Sequence, residues 1–166
     1  MHAVKSLAAV IAMLSLVLVG SPAVAETVVD KDSVDDAPAW IDITRARYTY
    51  NSDRAKVIAR IPDLGRAGEA ALSITRFEVF EAGYVVRIIK RRGERATVGL
   101  YFFDHFDLNK RKCDGVSGTW GDSYVRLSVP TDCLDGHAKR NVFAQFGIQR
   151  GQKVDRAPAV RRLARD

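Results

Sequence analysis

The sequence predicts an all-β fold, an antiparallel β-sandwich of about eight short strands. Apolar residues recur at alternate positions in short runs, as in Val125, Leu127 and Val129 or Val142, Ala144, Phe146 and Ile148. Turn-forming clusters such as Asn51-Ser52-Asp53 separate these runs. Beyond residue 25 no stretch holds a helical period long enough to build a buried helix. Jelly-roll and immunoglobulin-like topologies both fit this spacing, and a closed barrel is the alternative architecture.

The clearest element is the hairpin Tyr84 to Phe103. Both arms are rich in β-branched and aromatic residues, with Gly93 in a charged cluster between them. Tyr84, Val86 and Ile88 share one strand face, and Val98, Leu100 and Phe102 share one face of the other arm. The two sets face the same way only across a loop with an odd number of residues. A three-residue loop, Arg91-Arg92-Gly93, meets that condition and places Gly93 where a positive φ is needed. It sets Lys90 opposite Glu94 as an ion pair, Val86 opposite Val98 and Tyr84 opposite Leu100.

Residues 1–25 read as a secretory signal peptide. Lys5 precedes an apolar run, Leu7 to Val19, that is short for a membrane span, and Ala23-Val24-Ala25 fits the small-x-small cleavage rule. The expected product is a secreted chain beginning at Glu26, with no transmembrane segment left. Residues 26–39 read as an acidic linker. An EF-hand loop from Asp30 would need an oxygen ligand, a glycine and a glutamate where Val34, Asp35 and Ile41 stand, so that motif fails. A calcium site of another kind, completed by the rest of the fold, stays open beside the simpler reading of solvated acidic charges.

The folded domain is expected over residues 40–150. Ile41 to Tyr50 reads as a strand whose alternation shifts between Ile43 and Ala46, a sign of a bulge or a late start. Lys56 to Ile61 is its return strand, stopped by Pro62. Asp63 to Glu69 reads as a loop and Leu72 to Phe80 as a strand with Phe77 and Val79 buried; Ala82-Gly83 then turns the chain. Asp104 and His105 would point to opposite faces of an extended chain, so they read as a polar loop and not a metal site. Asn109 to Lys112 reads as a basic loop, and Tyr124 to Val129 and Val142 to Ile148 as the last strands. Residues 151–166 read as a basic tail, a short surface helix or frayed end.

Cys113 and Cys133 are the only cysteines, 20 positions apart. In an exported chain they are expected to form one disulfide. Closing a loop of that size is worth about 3 kcal/mol in the chain-entropy model.

Three sequence stretches carry a resemblance. The opening IDITRARYTYNSDRAKVIARIPDL, the stretch Val129-Pro130-Thr131-Asp132-Cys133-Leu134 and Asp155 to Pro158 resemble a group of small exported β-sandwich proteins of actinobacteria. That resemblance implies export and carries no activity with it. More distantly, the first strands resemble carbohydrate-binding sandwiches of the carbohydrate-binding module family 9 and DOMON type, with no ligand residue matched.

The chain carries a formal charge of +6. It shows no phosphate-binding loop, no H-E-x-x-H, no zinc spacing and no G-x-S-x-G elbow around Ser117. An enzyme is therefore not expected, no cofactor is implied, and an exported chain without a recognition motif is not expected to bind nucleic acid. Binding to cell-wall polysaccharide or another carbohydrate is the leading expectation, with Trp40, Trp120 and Tyr124 as a candidate stacking platform or, alternatively, as core. The rival is electrostatic docking on anionic polymers or lipid headgroups through Arg91, Arg92, Arg95, Lys110, Arg111 and Lys112.

Overall fold

The computed structural model describes residues 26–33, 36–76, 79–105, 107–134 and 141–164. The signal-peptide reading and the side chains of Phe77 and Val79 lie outside what is described. Among the described residues all the regular elements are strands apart from one 3₁₀ turn over residues 131–134. They are β1 (Glu26–Lys31), β2 (Arg45–Tyr50), β3 (Arg54–Arg60), β4 (Gly68–Arg76), β5 (Val79–Lys90) and β6 (Thr97–Asp104), then β7 (Asp107–Arg111), β8 (Ser117–Trp120), β9 (Tyr124–Pro130), β10 (Val142–Arg150), β11 (Lys153–Arg156) and β12 (Val160–Leu163).

These strands form two antiparallel sheets, the predicted all-β sandwich. One sheet has the order β1-β2-β3-β9-β8; the other runs β11-β10-β4-β5-β6-β7, with β12 also on β10. Period-two alternation explains the layers. In the first sheet Ala46, Ala59 and Val125 form one buried row, and Tyr48, Val57 and Leu127 the next. In the second, Leu72, Val86 and Leu100 are neighbours across three strands, all buried. The two inner faces meet as one core.

The central hairpin buries the face expected of it, but in another register. Ile88 stands opposite Val98, Val86 opposite Leu100 and Tyr84 opposite Phe102. The slip is two residues, so every side chain keeps its face while the loop lengthens. The slip brings Tyr84 and Phe102 into an edge-to-face contact, ring centroids 5.2 Å apart. Glu94 pairs with Arg91 at 3.6 Å and not with Lys90, whose ammonium caps the Glu94 carbonyl instead. Gly93 does have a positive φ, 78°.

Other sequence boundaries are corrected. Residues 26–31, read as linker, are the edge strand β1, because backbone pairing with β2 needs little apolar content. The strand expected from Ile41 starts at Arg45, and β4 begins at Gly68, inside the expected loop. Ala82-Gly83 does not turn but lies within β5. The expected basic loop is the exposed edge strand β7, and Trp120 ends a strand, β8. Most consequentially, the expected tail forms β11 and β12 and buries Asp155, Ala157, Val160 and Leu163. The Cys113 and Cys133 sulfurs stand at bonding distance with Cα atoms 6.0 Å apart, as expected.

Tyr48 joins the sheets. Its ring is fully buried, and its hydroxyl accepts the Phe146 N–H at 3.0 Å while donating to the Pro158 carbonyl at 3.4 Å. The chain steps off β10 between β11 and β12 there, and the phenol fills the gap in the backbone ladder. Tyr48→Phe keeps the ring but leaves a buried N–H without its partner. It should cost about 1–3 kcal/mol in urea unfolding. A variant as stable as the wild type would show the joint to be idle.

Candidate functional site

The end of the sandwich that carries the hairpin tip holds a cleft of about 700 Å³. Three connections build it: the loop from β3 to β4, the tip between β5 and β6, and the turn from β8 to β9. Its lining includes Arg66, Lys90, Arg92, Trp120 and Asp122. Three cations, one carboxylate and one aromatic ring thus share the lining. Neither Arg66 nor Arg92 is held in an ion pair among the described residues, and both are exposed. Their charge is available to a ligand.

Trp120 faces inward because its cross-strand partner Val125 does, and both close the core at this end. Its indole N–H donates to the Gly65 carbonyl at 2.9 Å, which fixes the ring. Gly68 permits the approach: a Cβ there would stand 2.9 Å from Cη2 of Trp120. Trp40 supports the same loop from behind, its carbonyl accepting the Gly65 N–H at 3.0 Å.

The expected three-ring platform is not assembled. Trp40 lies under the Arg150 guanidinium, 5.1 Å from the ring centre. Tyr124 lies under Arg126 at 5.7 Å and lines a separate depression with Ile58 and Arg60. Cation–π contacts occupy both rings. The expected basic patch also divides. Arg92 enters the cleft, Arg91 is paired with Glu94 and Arg95 is exposed on the tip outside the cleft lining. Lys110 and Arg111 lie on β7, with Lys112 just beyond; Arg111 covers Phe102 at 5.3 Å. Sequence reasoning missed Arg66 and Lys90. A cation beside Gly65 was the only signal for the first.

At His105 a positive φ of 53° makes a sharp turn, so Asp104 and His105 do meet, Oδ1 to Nδ1 at 2.8 Å. The Asp104 hydrogen bond and charge, with Glu81 beyond, raise the His105 pKa.

A second cluster sits on β11 and the segment that leads into β2. Carboxylate oxygens of Asp36, Asp42 and Asp155 lie within 4.8 Å of one another. The turn at Pro38, whose carbonyl accepts the Ile41 and Asp42 N–H groups, brings Asp42 in. Asp155 accepts the Ile43 N–H at 2.7 Å and the Arg156 N–H at 2.6 Å. These oxygens are the donor type a hard cation such as calcium takes. Burial, reinforced by the charges of Asp36 and Asp42, raises the Asp155 pKa against those two hydrogen bonds. Burial first, then the charges of Asp155, Asp36 and Asp42, push Asp32 up to about 6 against the Ser33 N–H bond.

The sign follows from linkage. The folded state holds these protons more tightly than the unfolded one, so their stabilisation is complete below the ordinary carboxylate range; that of Asp32 is lost as pH rises through about 6 and that of Asp155 as pH rises through its own raised value. His105 acts with the same sign but above its ordinary value of 6.5. The melting temperature should therefore rise as pH falls from 6.5 toward 4.5. Asp32→Asn should raise it at neutral pH and flatten the slope. A variant with an undiminished slope would contradict the assignment to Asp32.

Comparison with protein-family models, with curated proteins and with solved structures finds no match to this chain.

Proposed function

We propose that this protein is an exported, non-catalytic binding module whose end cleft takes up an anionic carbohydrate polymer. The observation that carries the reading is that Trp120 and the cations of Arg66, Lys90 and Arg92 line one cleft. An indole offers an apolar face to the C–H side of a sugar ring, and guanidinium groups offer paired donors to carboxylate or phosphate. Neither group alone would call for both features. Among the described residues, the lining sets Asp122 as its carboxylate beside these cations.

The second reading, docking on anionic lipid headgroups, is favoured by the exposed row Lys110, Arg111 and Lys112 along the β7 edge. Polygalacturonate, neutral galactan and phosphatidylglycerol vesicles separate the two. The mature chain should bind polygalacturonate, and Arg66→Ala or Arg92→Ala should each weaken it about tenfold, the worth of a charge-assisted hydrogen bond. Both arginines are exposed, so neither substitution threatens the fold. Salt should weaken the complex, and Lys110→Ala should leave it unchanged. Binding to vesicles alone, lost in Lys110→Ala and indifferent to Arg92→Ala, would overturn the cleft reading.

A further inference from the structure

The outer face of the smaller sheet carries a second concentration of positive charge, separate from the hairpin tip. Lys31, Arg45, Arg60 and Tyr124 stand side by side across β1, β2, β3 and β9. Two residues along, Arg47, Ile58, Arg126 and Thr119 form a parallel row across β2, β3, β9 and β8. Both rows alternate with the buried Ala46, Ala59 and Val125, so they point away from the core. The first row spans roughly 14 Å at the usual strand separation. Lys31, Arg45, Arg47, Arg60 and Arg126 are exposed, and among the described residues none of them is held in an ion pair. Neither row contains a carboxylate.

Like charges directly opposite one another on a sheet repel. Lys31 stands opposite Arg45, and Arg45 opposite Arg60, so the chain alone carries a cost that an anion lying on this face relieves. The shape of the face narrows the choice of anion. A depression of about 340 Å³ opens between the two rows, with Arg60 and Tyr124 from one and Ile58 and Arg126 from the other. It adjoins the end cleft: Ser123 lines the depression and its neighbour Asp122 lines the cleft. The Tyr124 ring also lies against Gly121 of the cleft, where a Cβ would stand 2.6 Å from Cε1. The large apolar side chains that are exposed among the described residues, Leu108 and Val154, both belong to the larger sheet. A face that docks on a bilayer relies on such groups to enter the acyl boundary.

We infer that the channel between the two rows extends the end cleft, and that one linear anionic polysaccharide chain continues from the cleft across these strands. The inference rests on the cleft reading for the chemistry of the polymer. Guanidinium groups on both banks offer paired donors to carboxylates spaced along a chain. A polymer long enough to reach them is held at two linked places, and linkage raises affinity without any new contact in the cleft.

Chain length supplies the test. A galacturonate trisaccharide reaches only the cleft, and a polygalacturonate chain several times longer reaches Arg45 and Arg47 as well. In calorimetric titration, counted per binding site, the wild type should bind the longer chain at least about tenfold more tightly than the trisaccharide. Arg45→Glu with Arg47→Glu should abolish that gain and leave trisaccharide binding unchanged. Both arginines are exposed, and losing Arg45 relieves repulsion, so this variant should melt no lower than the wild type. Arg45→Gln with Arg47→Gln should lose part of the gain, and it replaces the charge reversal if that variant does not fold. Arg92→Ala should weaken both ligands alike. A full length gain in the folded double variant would overturn the inference and leave the cleft reading standing. So would binding to phosphatidylglycerol vesicles or duplex DNA that the double substitution abolishes, with no length gain for polygalacturonate, because the face would then serve another partner. Binding of neither fragment would overturn both.

Discussion

The hydroxyl of Tyr48 ties the smaller sheet to β10 and to the segment between β11 and β12. It belongs to the smaller sheet, yet it satisfies the Phe146 N–H of β10 in the larger one. Burial of the phenol pushes its pKa above the ordinary tyrosine value, so it stays a neutral donor and acceptor. The Pro158 carbonyl it also meets lies between β11 and β12. One side chain thus pins the C-terminal strands over the start of the sandwich, and the Asp155 bond to Ile43 fastens them a second time. The acidic cluster is a by-product of that closure: it draws Asp42 and Asp155 together from opposite ends of the chain.

The end of the core that carries the loop from β3 to β4 is sealed by Trp120, tied to Gly65 through its indole N–H. A ring used as a plug at the rim has one side in the core and another toward solvent. The neighbouring loops carry Arg66 and Arg92, and those cations therefore gather around a ring that is there first for packing. The site follows from how the sandwich ends, and its rigidity comes from the same hydrogen bond.

Much of the layer structure was legible in the sequence because alternation reports faces directly. Tyr84, Val86, Ile88 and Leu100 were assigned to the core and lie there. Register was not legible, since a slip of two preserves every face and only the cross-strand partner changes. The edge strands were missed for a related reason. Glu-Thr-Val-Val-Asp-Lys and Val-Arg-Arg-Leu have too few apolar residues to announce themselves, and tertiary pairing alone decides them. Of the site, Trp120 and Arg92 were each singled out, but their meeting depends on the passage of the chain from the larger sheet to β8. No local pattern encodes that. The capping of Trp40 by Arg150 and of Tyr124 by Arg126 was equally hidden, so three candidate rings became one.

The convergence of ring and cations in one cleft is most directly read at the two indole N–H groups, which report from Trp40 and Trp120 separately. Titrating isotopically labelled protein with a short polygalacturonate fragment should move the Trp120 indole resonance and the Arg66 and Arg92 backbone amides together along one saturation curve. The Trp40 indole, under Arg150, should move far less. A titration in which the amides of Lys110 to Lys112 shift while the Trp120 indole stays fixed would contradict the account.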